Sequence, residues 1–188
     1  MEDIDRKRKS NLPNWLTAFR MLCIPLVVIF LSYPGRLSSF LAALFMGMAF
    51  ITDILDGYYA RKYESVTALG KLLDPLADKI LVLISMIMLI PLNRIPILIV
   101  IVIIARELAV TGLRSIAVSK GIIIQASRLG KYKTIFQAVA VLGLALHYDY
   151  FTVDFHIVGM SFLWVALVLT IWSGWEYFHK FSRIFYEK

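Results

Sequence analysis

Asp53, Asp56, Asp74 and Asp78 are the residues in this chain whose type and spacing could do chemistry. The first two stand three apart and the last two four apart, and both spacings put side chains on one face of a helix. A connection of about ten residues, Lys62 to Lys71, joins the two stretches, so the pairs can meet. Clustered carboxylates repel unless protons or cations intervene. Hard oxygen ligands suit Mg²⁺ or Mn²⁺, and the absence of His or Cys nearby argues against zinc or copper. Four acidic side chains can share two ions, as in phosphoryl chemistry. The plainer reading is that these residues cap helices or pair with Arg61, Lys62, Lys71 and Lys79.

The residues between the pairs suit a phosphate ligand. Gly57 and Ala60 keep a helix surface low, though small residues also serve ordinary helix packing. Arg61 follows on the Gly57 face and can grip phosphate oxygens with its planar fork. Pro75 places the start of the third helix near Asp74.

These groups must be held by elements in lipid. Of 188 residues, 60% are hydrophobic and 18% charged, and the mean hydropathy is +0.75. A chain of this size cannot hide so much apolar surface from water. Six apolar stretches approach the length of about 20 residues that a span requires: Trp15–Leu31, Leu37–Tyr59, Leu72–Leu92, Ile95–Val118, Ile135–Tyr150 and Ile157–Trp175. The expected fold is therefore an all-α integral membrane protein of six transmembrane helices, forming one domain over residues 1–188. A short interfacial segment from Asn11 to Trp15 precedes the first span. Arg6 to Lys9 resembles the start of a secretory signal, but no small-residue cleavage site follows.

An even number of spans puts both termini on one side. Loops on that side hold Arg61, Lys62, Lys71, Lys120, Arg128, Lys131 and Lys133, whereas the opposite loops offer Arg36 and Arg94. By the positive-inside rule both ends face the cytoplasm, in a multi-pass protein of the cell membrane. The net charge of +7 is then explained by topology and anionic lipid, and nucleic acid is not needed as a partner. Tyr148, Tyr150, Trp172, Trp175 and Tyr177 fit the aromatic belts at the membrane surfaces, and His147, His156 and His179 fit the interface. Cys23 allows no internal disulfide and reads as a buried thiol.

Written out, Asp53-x-x-Asp56-Gly57-x-x-Ala60-Arg61, eight residues, Gly70, three residues, Asp74, three residues, Asp78 resembles, at every fixed position, the signature of the CDP-alcohol phosphotransferases, integral membrane enzymes of phospholipid synthesis. The resemblance implies a metal-dependent phosphatidyltransferase with its active site facing the cytoplasm. Asp53, Asp56 and Asp74 would hold two divalent ions, and Asp78 would lie near the second and act as general base. Gly57, Ala60 and Arg61 would contact the CDP moiety, with Asn14, Thr17 and Thr67 as further donor contacts. A homodimer is implied as well.

A second cluster bears on the acceptor. Arg106, Glu107 and Arg114 lie in the fourth span, and Ser127 to Thr134 leads into the fifth. Charges at such depth need a polar interior or a partner, and Glu107 can pair with a neighbouring arginine. The surplus cations would suit an acceptor that carries its own phosphate. The stretches Ala105–Arg114 and Leu129–Thr134, with Asn14–Thr17 and Arg20, look like the branch of the family that uses glycerol 3-phosphate. That likeness implies transfer from CDP-diacylglycerol to glycerol 3-phosphate, giving phosphatidylglycerophosphate and CMP, with the acceptor phosphate gripped by Arg106, Arg114 and Lys131. Lys133 and Arg128 read equally as lipid-facing anchors. Inositol phosphate or serine as acceptor, and a divalent-cation transporter built on the aspartates, are the competing readings.

Overall fold

The structure is a computed structural model. It describes the backbone of residues 18–63, 68–120 and 128–186 and the side chains of 18–54, 79–120 and 129–183. Six helices occupy these segments: α1 (Ala18–Ser32), α2 (Arg36–Tyr63), α3 (Ala68–Leu89), α4 (Ile97–Ser119), α5 (Arg128–Leu146) and α6 (Phe155–Tyr186). Each overlaps one of the apolar stretches. Segments within α2, α5 and α6, namely Arg36–Ile54, Leu129–Leu146 and Phe155–Arg183, are long and apolar enough to cross a bilayer. Leu22, Leu37, Ile54, Leu98, Leu108, Ile157 and Trp175 are more than half exposed, a surface that lipid covers and water does not. The chain is an all-α membrane protein. The interfacial segment Asn11 to Trp15 lies outside the described residues.

Some boundaries differ from expectation. α3 begins at Ala68, so Pro75 lies inside the helix and not at its start. The Ala-Leu-Gly-Lys-Leu-Leu run upstream is mostly good helix former, and neighbouring groups make up for a missing N–H in membrane helices. α5 starts at Arg128, because its first turn is polar and hydropathy does not register it. Its C-terminal end at Leu146 gives way to a small antiparallel hairpin, β1 (Asp149–Tyr150) and β2 (Val153–Asp154), so the helix stops four residues short of the Tyr150 expected from hydropathy. Phe151 and Thr152 close it with φ of 50° and 66°, the left-handed pair that a two-residue hairpin demands. Asp154 then caps α6, its Oδ1 accepting the backbone N–H groups of His156 (2.8 Å) and Ile157 (3.1 Å).

At this end the cations are structural. Arg94 is buried in the α3–α4 turn and donates to Ala145 O (2.9 Å) and Ser39 Oγ (2.8 Å), with its guanidinium over the Tyr148 ring. It thereby ties α2, α5 and the turn together. Arg36 donates to Asp149 O (2.7 Å) and lies over Tyr150. His147 and His156 face each other with their Nδ1 atoms 3.3 Å apart. Burial first, then Arg94 and His156, hold the His147 imidazole below its ordinary value against the pull of Asp154. Neutral imidazole suits such a contact, since one Nδ1 must donate and the other accept.

The core is formed by residues such as Cys23, Val27, Met46, Leu81, Met86, Ile103, Val141, Leu144 and Leu163. Its tightest seam is between α5 and α6. A Cβ at Gly159 would stand 2.7 Å from Leu144 N and 3.0 Å from Ala140 O, both backbone atoms that cannot turn aside. Small residues let membrane helices approach in this way. Gly159→Ala is expected to destabilise the protein by about 1–3 kcal/mol, the usual cost of overpacking. Gly112→Ala, where nothing lies within 4 Å of the new methyl, serves as the neutral comparison. Thermal unfolding in detergent measures both, and an unchanged midpoint for Gly159→Ala would show that the seam relaxes freely.

Candidate functional site

The polar interior gathers where α3, α4, α5 and α6 meet. Glu107 of α4 is its centre, buried, with Oε1 accepting from Arg106 Nη1 (3.1 Å) and from Lys133 Nζ of α5. Arg106 also donates from Nη2 to Ser173 Oγ of α6 (2.9 Å). Gly174 makes room for this reach: a Cβ there would lie 3.1 Å from Arg106 Cγ. Ser173 is held in turn by Thr170 O (3.2 Å), and Gln137 of α5 donates to Thr170 Oγ1 (3.1 Å). Lys79 of α3 donates to Thr111 Oγ1 of α4 (3.0 Å).

These groups line a cavity of about 170 Å³, together with Arg114 and Tyr177. That is small beside the roughly 300–1,000 Å³ of pockets that take larger organic ligands. Among the described residues its wall carries the cations Lys79, Arg106, Arg114 and Lys133 against the single carboxylate Glu107. Charged groups in a membrane protein's interior are costly. An anion entering the cavity would offset that excess.

A second, larger space of about 390 Å³ runs between α2 and α5 and is lined mainly by apolar side chains, among them Phe50, Ile51, Val82, Ile135 and Leu142. Asp53 lies in its wall, and Thr134 lines both this groove and the polar cavity. Arg20 of α1, fully buried, holds Asp53 Oδ1 at 3.0 Å. A buried guanidinium needs such a partner, and the contact orients the carboxylate. A small polar chamber and an apolar groove with an acid in its wall thus share one side chain.

Residues 10–172 match the family described as CDP-alcohol phosphatidyltransferase. Among curated relatives, a CDP-diacylglycerol–glycerol-3-phosphate 3-phosphatidyltransferase of Bacillus subtilis is 44% identical over 90% of this chain and 94% of its own length. Proteins of the same description from Rickettsia felis and Haemophilus influenzae are 39% and 36% identical, over 94% and 90% of this chain and 98% and 92% of their own lengths. The chain belongs to the CDP-alcohol phosphatidyltransferase family. It is an enzyme, a transferase.

For a CDP-alcohol phosphatidyltransferase the placement of each expected residue matters. α2 carries Asp53, Asp56, Gly57, Ala60 and Arg61, and α3 carries Asp74 and Asp78. Asp53 is the member of this set whose side chain is described. The side chains of Asp56, Gly57, Ala60, Arg61, Asp74 and Asp78 lie outside the described residues, as do Asn14, Thr17 and Thr67 altogether. Among the described residues no three His, Cys, Asp or Glu side chains converge as a metal site. Asp53 itself fits a hard cation: it is a half-exposed carboxylate with one oxygen fixed by Arg20, and oxygen donors are what Mg²⁺ and Mn²⁺ take.

Of the residues expected to grip an acceptor phosphate, Arg106 and Arg114 line the polar cavity. Lys131 is exposed and does not; Lys133, two residues on, is buried and does. On a helix, neighbours two apart face different ways, so one lysine of the pair is inside and the other out. Sequence reasoning also missed the roles of Lys79, Ser173 and Tyr177. Tyr177 fits an aromatic belt by sequence, yet it is 6% exposed and packs with Val110 and Ala117. Its cue is faint: α6 places Ser173 and Tyr177 four residues apart and therefore on one face.

Proposed function

We propose that the chain transfers the phosphatidyl group of CDP-diacylglycerol to glycerol 3-phosphate, giving phosphatidylglycerophosphate and CMP. The observation that carries this reading is the cation-rich cavity of about 170 Å³, small enough for a phosphorylated triol and charged to attract one, sharing Thr134 with the apolar groove beside Asp53. The relatives' descriptions name the same reaction. In this reading six spans place both termini and the catalytic end at the cytoplasmic face, and the enzyme works as a homodimer.

The acceptor's phosphate is held by Arg106, Arg114, Lys79 and Lys133, which leaves its hydroxyl end toward Asp78, the residue preceding Lys79 on α3. Asp78 takes the hydroxyl proton. The freed oxygen attacks the phosphorus that bears the diacylglycerol, a new P–O bond forms, and the P–O bond to CMP breaks. Arg61, Gly57 and Ala60, with Asn14, Thr17 and Thr67, hold the CDP moiety. The groove along Phe50, Ile51 and Leu142 receives an acyl chain. Two divalent ions, held by Asp53, Asp56, Asp74 and Asp78, would supply neutralisation of the diphosphate's charge.

The test is an acceptor panel: purified protein, CDP-diacylglycerol, Mg²⁺ or Mn²⁺, and glycerol 3-phosphate, glycerol, serine, inositol or inositol phosphate in turn, with CMP release followed. Release is expected with glycerol 3-phosphate and is expected to stop on chelation. Preference for an unphosphorylated alcohol would overturn the acceptor assignment, and release unaffected by chelator would overturn the ions.

A further inference from the structure

Two donors on residues that line the polar cavity have no partner among the described residues. Tyr177 Oη and Arg106 Nε are both buried and make no hydrogen bond among the described residues. Buried polar groups are ordinarily satisfied, and a buried tyrosine hydroxyl ordinarily finds a partner. The two residues line one cavity, from α6 and α4. Arg106 Nη1 donates to Glu107 and Nη2 to Ser173, so Nε is the guanidinium nitrogen that lacks a partner among the described residues. That group can only donate. What completes it must accept hydrogen bonds. The surrounding Lys79, Arg114 and Lys133 add a requirement for negative charge. Arg114 lies over the Tyr177 ring at 5.9 Å, a contact that braces the phenol.

We propose that Tyr177 is a specificity-determining residue for the acceptor: its hydroxyl donates to an oxygen of the phosphomonoester that the cavity takes, beside the Nε–H of Arg106. The proposal rests on the reading of this cavity as the acceptor site and extends it to a residue of α6. A phosphomonoester meets both demands at once, since it offers several acceptor oxygens and up to two negative charges. An uncharged alcohol could accept from Tyr177 but would leave the cations without an anion. The same phosphate chemistry could reach the cavity from the lipid donor, and the measurement separates the two sources.

Tyr177→Phe removes one oxygen and keeps the ring, its packing on Val110 and Ala117 and its contact with Arg114. The expected result is a KM for glycerol 3-phosphate raised about tenfold or more, the scale of a lost hydrogen bond to a charged group. The KM for CDP-diacylglycerol should stay within about twofold, as should the midpoint of thermal unfolding, because packing is retained. Inorganic phosphate, used as a competitive inhibitor against glycerol 3-phosphate, should weaken by the same factor as the acceptor. An unchanged acceptor KM together with unchanged phosphate inhibition would overturn the proposal. A rise confined to the donor KM would overturn it as well, and would assign the hydroxyl to the lipid phosphate. Tyr177→Leu, which loses ring and hydroxyl, controls for packing: if its acceptor defect is large while Tyr177→Phe behaves as wild type, the role is structural. A wild-type enzyme that prefers inositol phosphate in the acceptor panel would replace the substrate but not the residue. One that prefers an unphosphorylated alcohol would defeat the acceptor reading, and phosphate inhibition of the wild type and Tyr177→Phe would still decide the hydroxyl's role.

Discussion

Asp78→Asn is expected to lower the rate of CMP release by about 10²–10⁴-fold, the range lost with a positioned general base, while CDP-diacylglycerol still binds. Asp78 is followed on α3 by Lys79, whose ammonium lines the polar cavity and donates to Thr111 Oγ1 at 3.0 Å. The backbone turn of α3 that carries Asp78 therefore lies at the chamber assigned to the acceptor, which is where the proposed base is needed if it is to take the acceptor's proton. An amide has nearly the shape of the carboxylate but no site for that proton at neutral pH. The loss should fall on kcat, with the donor's affinity close to that of wild type, because the donor's charge is met chiefly by other groups. Single-turnover CMP release at saturating acceptor, with equilibrium binding of the donor alongside, makes the measurement. Full activity in this variant would return Asp78 to a structural role.

What could be read from the sequence followed from the solvent. Lipid demands long apolar helices, and hydropathy therefore locates α1 to α6 without any knowledge of packing. It does not locate their ends. α5 begins at Arg128, through the polar turn that holds Lys131 and Lys133, because backbone hydrogen bonding continues where apolar character stops. Pro75 likewise reads as a helix start and lies inside α3. The helical phase was also hidden: every face of these helices is apolar enough to meet lipid, so periodicity could not say which of two lysines points inward. Nor could it pair Arg20 with Asp53, which are brought together from α1 and α2 at 3.0 Å. Tyr177 shows the same limit from the other side, since an aromatic near a helix end fits a membrane interface until Val110 and Ala117 are seen to cover it. The acidic motif was legible because its chemistry is written in short local spacings, and of its four carboxylates Asp53 is placed by the described side chains.

The contrast between Lys133 and Lys131 tests the cavity most directly. Lys133→Ala is expected to raise the KM for glycerol 3-phosphate by about 10–100-fold, the equivalent of losing a charge-assisted contact of roughly 1.5–3 kcal/mol, whereas Lys131→Ala should change it by about twofold or less, as is usual for an exposed charge. Lys133 is buried against Glu107 and lines the chamber, while Lys131 stands exposed two residues earlier on the same helix. Removing Lys133 does not strand Glu107, because Arg106 Nη1 still donates to the same carboxylate oxygen at 3.1 Å. The variant should therefore fold, and its defect should lie in acceptor use with donor KM unchanged. Lys133→Met, which restores most of the stem's packing, should fail at the acceptor in the same way, which separates charge from volume. The reverse pattern, a large acceptor defect in Lys131→Ala with Lys133→Ala near wild type, would mean that the chamber around Glu107 is not where the acceptor phosphate sits.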